Sequence, residues 1–312
     1  MILKSHPQPI PYQGSKRTQV PIILRYLPAD TAILFEPFAG SGAVTIGAAR
    51  SKAAQRFHLS DSLRPLMDVW SGILSAPAEL ADRYEEIWTA QLNDSRAHFD
   101  SVRDSFNHEH KPEQLLYLIA RCVKNSVRFN AAGQFNQSPD KRRLGMRPSL
   151  FRERALAVHD LLAGNAEATC SDYSESLCAA GRTDVVYMDP PYMGVTKTRD
   201  SRYHQGLDYE RFVRELGEAN LRNVSYLVSF DGSCGERTYG PGLPDCLGLI
   251  KIDVHVGRST QSTLNGLAEE TVESLYVSPA LNTRLLEQEV GVRQTEMVRP
   301  KPLATQLDLD FS

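Results

Sequence analysis

The chain has 312 residues, of which 41% are hydrophobic and 23% are charged, and its net charge is −3. This composition is typical of a soluble globular protein and excludes a chain that is mostly disordered or coiled coil. No apolar run approaches the roughly 18 residues of a membrane span, and the first residues lack the apolar stretch of a secretory signal. The five cysteines form no CxxC pair, which disfavours a cysteine-based zinc site and a disulfide framework. We therefore expect a cytoplasmic protein that uses neither a membrane nor a metal ion.

The first part of the chain predicts a strand–helix–strand unit. A short helix is predicted over residues 20–27, and residues 32–36 form a compact apolar run that predicts a buried strand. A glycine-containing turn then leads into a predicted helix over residues 42–54, which is rich in small side chains. Residues 56–60 predict a second strand, which ends at Asp61.

The middle of the chain predicts helices. Residues 63–106 are amphipathic, residues 112–127 carry apolar side chains on one helical face, and residues 151–162 have helical character again. Between them, residues 130–136 have the chemistry of a turn and predict a hairpin or a loop. Residues 62–165 therefore indicate an inserted, mostly helical domain.

The last part of the chain returns to short apolar runs that predict strands. These runs are residues 166–171, 184–188, 225–230, 249–256 and 274–277. Strands interleaved with helices at both ends of the chain favour a single α/β sheet.

Positive charge is concentrated in residues 121–154. This window contains nine Lys or Arg residues and two acidic residues, a net charge of +7 in a chain whose total is −3. Two explanations fit. One is a solvated surface patch, and the other is a surface that contacts phosphates, because clustered cations bind a polyanion by releasing its condensed counterions.

A DPPY motif at residues 189–192 directly follows a predicted buried strand. A carboxylate in this position, here Asp189, faces the crevice where α/β sheets bind ligands. Pro190 and Pro191 fix the backbone and remove two N–H donors, so that their carbonyls can accept hydrogen bonds, and Tyr192 offers a ring for stacking. The motif predicts a site for a planar group that bears an exocyclic amine; the alternative is a turn stiffened by proline.

A glycine-rich loop with the sequence EPFAGSG follows the first predicted strand at residues 36–42. Its glycines let the backbone approach a ligand at the start of a helix. Asp61, at the end of the second strand, can accept hydrogen bonds from ribose hydroxyls, and the spacing favours a nucleoside cofactor. The alternative for Asp61 is a helix N-cap. A third segment, PYQGSKR at residues 11–17, exposes a Gly-Ser turn beside Lys16, which could hold a carboxylate.

In this order the three segments resemble the Dam-type DNA adenine-N6 methyltransferases, and the resemblance covers residues 10–280. Residues 12–16 are similar to that family's WAGGK segment, with Tyr for Trp and Gln for Ala. Residues 36–42 resemble its EPFxGxG loop, residues 128–136 its RxN…GxFN stretch, and residues 170–173 the motif whose Asp binds the cofactor adenine.

The resemblance implies an α/β fold, a Rossmann-like methyltransferase sheet with an inserted, mostly helical DNA-recognition domain. It assigns residues 1–61 and 166–285 to a catalytic domain that binds S-adenosylmethionine, residues 62–165 to target recognition, and residues 286–312 to a C-terminal tail. The implied activity is site-specific methylation of adenine N6 in double-stranded DNA, in the cytoplasm of a bacterium and in association with its nucleoid.

The resemblance also implies three sets of site residues. The catalytic set is Asp189, Pro190, Pro191 and Tyr192. The cofactor set is Tyr12, Gln13, Gly14, Lys16, Glu36, Phe38, Gly40, Ser41, Gly42, Asp61, Asp172 and Asp189. For DNA, the resemblance points to Arg128, Asn130 and Asn136 in the RxN…GxFN stretch; the positive window adds Lys141, Arg142 and Arg143, and the segment after the DPPY motif adds Lys197 and Arg202 as further candidates.

Within these sets, the methionine end of the cofactor would contact Tyr12 and Lys16, and its ribose would contact Asp61. The target amine would donate its two N–H bonds to Asp189 and the following proline carbonyl, on a base that has left the duplex. Attack on the methyl group would then be direct, so that catalysis comes from positioning and electrostatics rather than from a covalent enzyme intermediate.

Four alternatives stay open from the sequence. RNA adenine-N6 methyltransferases also carry a D/NPPY motif, although the N-terminal segment and the basic insertion favour DNA. Protein-glutamine methyltransferases resemble NPPY and cytosine-N4 enzymes resemble SPPY, whereas the first motif residue here is Asp189. A non-enzymatic DNA-binding protein on the same fold would have lost Asp189 or the glycine loop, and both are present.

The end of the chain carries a short motif, QLDLDF at residues 306–311. It resembles the QLxLx(L/F) peptide that bacterial proteins insert into the replication sliding clamp. The alternatives are a tail that packs on its own domain or a disordered tail. The sequence does not reveal the recognition sequence, nor whether the enzyme acts alone or with a cognate restriction endonuclease.

Overall fold

A mixed sheet forms the centre of the computed structural model, which describes residues 7–191, 207–234, 237–239, 242–258 and 270–298. Its strands are β1 Ile33–Pro37, β2 Arg56–Asp61, β3 Ala166–Cys170, β4 Val185–Met188, β5 Tyr226–Cys234, β6 Arg237–Tyr239, β7 Ile250–Arg258 and β8 Glu270–Val277. Seven of them lie in the order β3-β2-β1-β4-β5-β8-β7, and β6 pairs with β5. The first five of that order are parallel, whereas β8 is antiparallel to both neighbours. The α/β class predicted from the sequence is confirmed.

Ten helices accompany the sheet in the described ranges. They are α1 Val20–Ile23, α2 Ala43–Ser51, α3 Arg64–Ser75, α4 Pro77–Ala90, α5 Ser95–Glu109, α6 Pro112–Arg121, α7 Pro148–Leu162, α8 Tyr173–Ala179, α9 Tyr209–Leu221 and α10 Pro279–Val298. The strand–helix–strand unit predicted for the first part of the chain is present as β1, α2 and β2.

The centre of the sheet is covered on both faces. Leu34 and Val185 belong to one cluster of buried side chains, and their neighbours Phe35 and Val186 belong to a second cluster. Because successive residues of a strand point to opposite faces, this alternation places one cluster on each side of the sheet. A parallel sheet buried in this way presents its ligand-binding loops at the carboxyl ends of the strands.

The helices α3 to α7 lie between β2 and β3 in the chain, where the inserted domain was predicted. Trp70 of α3, Leu116 of α6 and Phe151 of α7 are fully buried and share one cluster with Leu34 of β1. The insertion therefore packs against one face of the sheet and extends its core. Its assignment to residues 62–165 as a separate target-recognition domain stays a prediction.

The helix predicted over residues 112–127 is shorter in the structure. It ends at Arg121, Cys122 is extended, and Lys124 and Asn125 adopt left-handed backbone angles with φ of 59° and 54°. All residues from 113 to 121 are buried, so α6 is enclosed on every side rather than on one face. The exposed side chain of Val123 belongs to the turn that follows the helix.

The helix α10 occupies the start of the segment that was predicted to be a tail over residues 286–312. Arg284 on this helix donates to the carbonyl oxygens of Asp184 and Thr183 and pairs with Asp30 at 3.0 Å, which fixes α10 to the amino end of the sheet. Residues 299–312 lie outside the described residues. Among the helices in the described ranges, none is both long and apolar enough to cross a membrane.

Candidate active site and DNA-facing surface

The candidate site lies where the order of strands reverses. The chain continues from β1 to β2 on one side, whereas β4 pairs with β1 on the other side. The loop after β1, residues 36–42, and Asp189 after β4 therefore meet at the carboxyl edge of the sheet. Two of the three motifs singled out in the sequence are thus brought together by the topology.

The third motif enters the site through Lys16. Its Nζ lies 2.7 Å from Oδ1 of Asp189 and 3.5 Å from Oε2 of Glu273 on β8. The side chain of Gln19 donates to the same Glu273 oxygen at 2.8 Å. Lys16 holds a carboxylate of the DPPY motif, and its contact with the methionine end of the cofactor stays a prediction.

Burial and charge set the protonation of this cluster. Burial alone would lower the pKa of Lys16, but the Asp189 and Glu273 carboxylates outweigh that effect and raise it above the ordinary value for lysine. Burial raises the pKa of Asp189, and Lys16 offsets only part of the rise. Tyr187 lies beneath them with its hydroxyl 2.8 Å from Oγ of Ser229, and burial raises its pKa well above 10.

The rest of the DPPY motif is partly described. The side chain of Asp189 is 22% exposed. Pro190 is buried and Pro191 is partly buried. Tyr192 lies outside the described residues, as do Lys197 and Arg202.

Two glycines of the loop after β1 are required by the side chains packed on them. Gly40 and Gly42 have φ of 48° and 59°, a conformation that side chains rarely adopt. A Cβ on Gly42 would lie 2.5 Å from the ring of Trp70, and one on Gly40 would lie 3.3 Å from the ring of Tyr12. Close packing of these aromatic rings explains the glycines without reference to a ligand.

Glu36 holds the same loop from inside. Its two carboxylate oxygens accept hydrogen bonds from the backbone N–H groups of Val44, at 3.3 Å, and Thr45, at 2.7 Å. Burial raises the pKa of Glu36 to about 7, although these hydrogen bonds oppose the shift. Both oxygens face the first turn of α2, so Glu36 shapes the cofactor loop; a direct contact with the cofactor stays a prediction.

The N-terminal segment is fastened to the glycine loop and to the insertion. The hydroxyl of Ser41 donates to Oγ of Ser15 at 2.8 Å, and the backbone N–H of Gln13 donates to the carbonyl oxygen of Asn125 at 3.1 Å. Gly14, with φ of 84°, forms the exposed turn between them. Three separate parts of the chain therefore meet around Lys16.

Asp61 ends β2 and forms a local turn. Its Oδ1 accepts a hydrogen bond from the N–H of Leu63 at 3.0 Å, directly before α3 begins. This contact is an Asx turn that precedes the helix; the N-cap position of α3 is Leu63, so Asp61 does not cap the helix as the alternative reading of the sequence suggested. The ribose contact implied for Asp61 stays a prediction.

Asp172 has a partner that sequence reasoning missed. Its carboxylate accepts from the N–H of Ser174 at the start of α8, and Arg211 of α9 forms a bidentate contact with it at 2.8 and 3.2 Å. Burial would raise the pKa of Asp172, but the hydrogen bonds from Ser174 and Arg211 lower it. The rings of Phe38 and Tyr173 stack beside this pair with centroids 5.3 Å apart.

The predicted DNA residues Arg128, Asn130 and Asn136 lie on a hairpin that a bridge between Phe129 and Phe135 closes. The side chain of Asn130 accepts from the N–H groups of Ala132 and Gln134, so this residue builds the tip of the hairpin. Arg128 is half-buried and Asn136 is exposed. The turn predicted over residues 130–136 is present.

Residues 140–147, which we call the basic loop, carry the exposed side chains of Lys141, Arg142 and Arg143. Arg121 of α6, only 3% exposed, donates to the carbonyl oxygens of Asp140 and Arg143. These bonds fix the backbone of the basic loop from the inside.

Three side chains of α4 and its C-terminus complete this support. The indole of Trp88 and the amide of Gln91 donate to the carbonyl oxygen of Leu144, at 2.9 and 3.2 Å. The hydroxyl of Tyr84 donates to the carbonyl oxygen of Met146 at 2.7 Å. The basic side chains therefore project from a backbone that is held in place before any partner binds.

The positive window is smaller than its sequence suggests. Arg121 is buried, Arg152 pairs with Asp82, and Arg154 donates to the carbonyl oxygen of Gln8 at 3.1 Å. These three of the nine cations already have partners within the protein, and the exposed Arg143 also pairs with Asp140, at 2.7 Å. A phosphate-contacting surface would therefore rely chiefly on the exposed cations of the basic loop, with Arg143 exchanging Asp140 for a phosphate.

The fold is that of a Rossmann-like methyltransferase. Residues 12–234 match the model of the D12 class of N6 adenine-specific DNA methyltransferases, and the chain belongs to this family. The protein is therefore an adenine-specific DNA methyltransferase. This result decides against the RNA, protein-glutamine, cytosine-N4 and non-enzymatic alternatives that the sequence left open.

Named relatives agree with the family. The DNA N-6-adenine-methyltransferase of Escherichia phage P1 is 27% identical over 235 residues, which are 71% of this chain but only 29% of the phage protein. The DNA adenine methylase of Escherichia coli (strain K12) is 26% identical over 227 residues, 70% of this chain and 78% of the relative. The DNA adenine methylase of Vibrio cholerae is 24% identical over 274 residues, 85% of this chain and 92% of the relative.

Proposed function

We propose that the enzyme transfers the methyl group of S-adenosylmethionine to N6 of an adenine that has left a DNA duplex. The observation that carries this proposal is the contact between Lys16 and Asp189, at the edge where the glycine loop and the DPPY motif meet. This contact supports the proposal because the carboxylate that would receive the target amine is thereby joined to the N-terminal segment, which also bonds to the loop that would hold the methyl donor.

The described residues fit this cofactor. The backbone of Gly40 is left-handed and lies just before the N-terminus of α2, where N–H groups and small side chains permit close approach. Asp61 could accept bonds from the ribose hydroxyls, and the stacked rings of Phe38 and Tyr173 offer apolar faces for an adenine. The bound cofactor would supply a methyl group activated by a positively charged sulfur.

Asp189 would make the target amine a better nucleophile. The lone pair of an adenine amine is delocalised into the ring, which makes the amine a poor nucleophile. Acceptors at Asp189 and at the carbonyl of Pro190 would bind its two hydrogens and favour a more tetrahedral nitrogen, with the lone pair free to attack. Lys16 holds the Asp189 carboxylate in one orientation.

The DNA would lie across the basic loop. Lys141, Arg142 and Arg143 are exposed on a supported backbone, which suits contacts with phosphates. Arg128 and Asn136 on the neighbouring hairpin are our candidates for contacts near bases, and Lys197 and Arg202 stay further candidates from the sequence. Neither set defines a recognition sequence.

Methylated-base sequencing of DNA from a host that expresses the enzyme tests the proposal. We expect N6-methyladenine at one sequence context with the wild type and none with Asp189→Ala, whose cofactor binding by calorimetry should largely survive. An exposed aspartate on α7, changed as Asp160→Ala, is the matched control and should methylate like the wild type. Turnover by Asp189→Ala at the wild-type rate would overturn the assignment.

Two partners remain proposals. A gene for a restriction endonuclease that cuts the same sequence would place the enzyme in a restriction-modification pair, and its absence would favour an orphan role. Residues 306–311 lie outside the described residues, and their clamp-like motif would deliver the enzyme to newly replicated DNA. Titration of a labelled 301–312 peptide with a bacterial sliding clamp tests this, and no binding at high micromolar clamp would remove the proposal.

A further inference from the structure

Glu273 belongs to the catalytic cluster although no sequence motif contains it. It lies on β8, 3.5 Å from Nζ of Lys16, and its Oε2 also accepts the hydrogen bond from Gln19. About a fifth of its side chain is exposed, similar to Asp189 on the opposite side of Lys16. One buried lysine is therefore shared by two carboxylates from strands that are far apart in the chain.

The backbone of β5 comes close to Glu273 at a glycine. The pairing between β5 and β8 shifts register between Phe230 and Gly232. Gly232 is paired with Glu273, and a Cβ on Gly232 would lie 2.8 Å from the carbonyl oxygen of Val272 and 3.5 Å from Cγ of Glu273. The glycine thus permits the close approach of the backbone that carries this carboxylate.

Glu273 favours the charged form of Lys16, but its net contribution to stability should be small. A buried ion pair recovers little more than the cost of desolvating its charges, and a further carboxylate adds repulsion with the first. One lysine and two carboxyl groups give the cluster a formal net charge of −1. That charge would be favourable where positive charge develops, as it does on an amine that accepts a methyl group.

We propose that Glu273 is a positioning residue of the methyl transfer, which holds Lys16 between the two carboxylates and keeps the charge around Asp189 negative. This inference rests on the proposed function of Asp189. In this arrangement Gln19 and strand β8 hold Glu273 in place. Glu273 then holds Lys16, and Lys16 holds Asp189.

The substitution Glu273→Gln removes the negative charge of the side chain and nearly preserves its shape. Glutamine keeps an acceptor for Gln19 but removes the negative charge, so we expect kcat to fall about tenfold, the equivalent of one pKa unit of charge interaction. The KM values for cofactor and DNA should change much less. Asp253→Asn, an exposed acid on the neighbouring strand β7, is the matched control and should leave kcat unchanged.

The pH profile of kcat distinguishes this role from a merely structural one. The carboxylate of Glu273 contributes to the raised pKa of Asp189, so Glu273→Gln should move the acid limb of the profile to lower pH. Besides Glu273, the groups in the described ranges that interact electrostatically with Asp189 include Lys16, Tyr187 and Glu36. Lys16 and Tyr187 titrate above this range, and Glu36 is present in both enzymes, so the difference between the two profiles reports on the Glu273 carboxylate and on its effect on Asp189.

The experiments distinguish a failure of the proposed function from a failure of the role of Glu273. Production of N6-methyladenine by the wild type tests the proposed function first, and failure there removes both proposals. With an active wild type, an unchanged kcat and acid limb in Glu273→Gln overturns the role of Glu273 alone. If that variant does not fold, Glu273→Asp replaces it: it retains the charge but withdraws it from Lys16, so a lowered kcat with an unshifted acid limb supports the proposal and a wild-type kcat overturns it.

Discussion

The indole N–H of Trp70 donates a hydrogen bond of 3.1 Å to the carbonyl oxygen of Gly40. Trp70 belongs to the first helix of the insertion, whereas Gly40 lies in the loop that we assign to the cofactor. The same indole ring packs against Gly42. The conformation of the cofactor loop therefore depends on a residue of the insertion, which also carries the surface that we assign to DNA.

Gly42→Ala should damage the loop through this contact. The added Cβ would lie 2.5 Å from the Trp70 ring at a left-handed position, so we expect a loss of about 2–4 kcal/mol in the free energy of unfolding and weaker cofactor binding. Urea denaturation and calorimetry measure the two effects. Gly164→Ala is the matched control, because Gly164 has φ of 72° with open space around it and should lose only about 1 kcal/mol. Equal losses in both variants would remove the packing explanation.

Charge reversal in the basic loop should weaken DNA binding regardless of sequence. Changing Lys141, Arg142 and Arg143 to Glu removes up to three phosphate contacts, so the slope of log K against log salt should become less negative by up to about 2.7. Fluorescence anisotropy with a labelled duplex at several salt concentrations measures this slope. Lys52→Glu, on an exposed residue after α2, is the control. An unchanged slope in the triple variant would place the DNA surface elsewhere.

Arg121→Met should weaken DNA binding without removing a phosphate contact. The variant leaves the carbonyl oxygens of Asp140 and Arg143 without their buried donor, which should cost about 1–3 kcal/mol of stability and loosen the basic loop. We expect affinity for DNA to fall while the salt slope stays close to the wild-type value. A change in slope by about one unit would instead show that Arg121 itself contacts a phosphate.

Glu36 should make stability depend on pH. Its pKa is raised to about 7 in the folded state from an ordinary value near 4.5, so the folded protein binds more protons between these values. The contribution of Glu36 to stability is therefore present at acid pH and is lost as pH rises through this window, by a few kcal/mol in total. Urea denaturation of the wild type and of Glu36→Gln at pH 5 and pH 8 gives this difference. A gap between the two proteins that does not change with pH would contradict the prediction.

Local patterns predicted the parts of the site that lie next to strands. The EPFAGSG loop and Asp189 were found because glycines and a proline-stiffened carboxylate follow apolar runs, and the order of the strands then brings them together. Sequence gave no such signal for Glu273, which is separated from Lys16 by most of the chain and lies in an ordinary strand. The contact between Arg211 and Asp172 was missed for the same reason, since it joins two helices that are distant in sequence.

The sequence also could not predict which charged side chains are buried. Arg121 counts as one cation among nine when charges are summed along the chain, yet its guanidinium serves backbone carbonyls and not solvent. The helix predicted to reach residue 127 stops at Arg121 because the following turn uses left-handed residues without glycine, which composition does not reveal.

The bidentate contact between Arg211 and Asp172 has a thermodynamic consequence. If the adenine of the cofactor binds Asp172, it competes with Arg211, which is on α9, the first described element after the DPPY segment. Release of Arg211 when the cofactor binds would then change the free energy of α9, the helix that follows the DPPY segment. By linkage, DNA must change the affinity for cofactor by the same factor as the cofactor changes the affinity for DNA. Binding of either substrate, DNA or cofactor, would thus change the affinity for the other through Arg211.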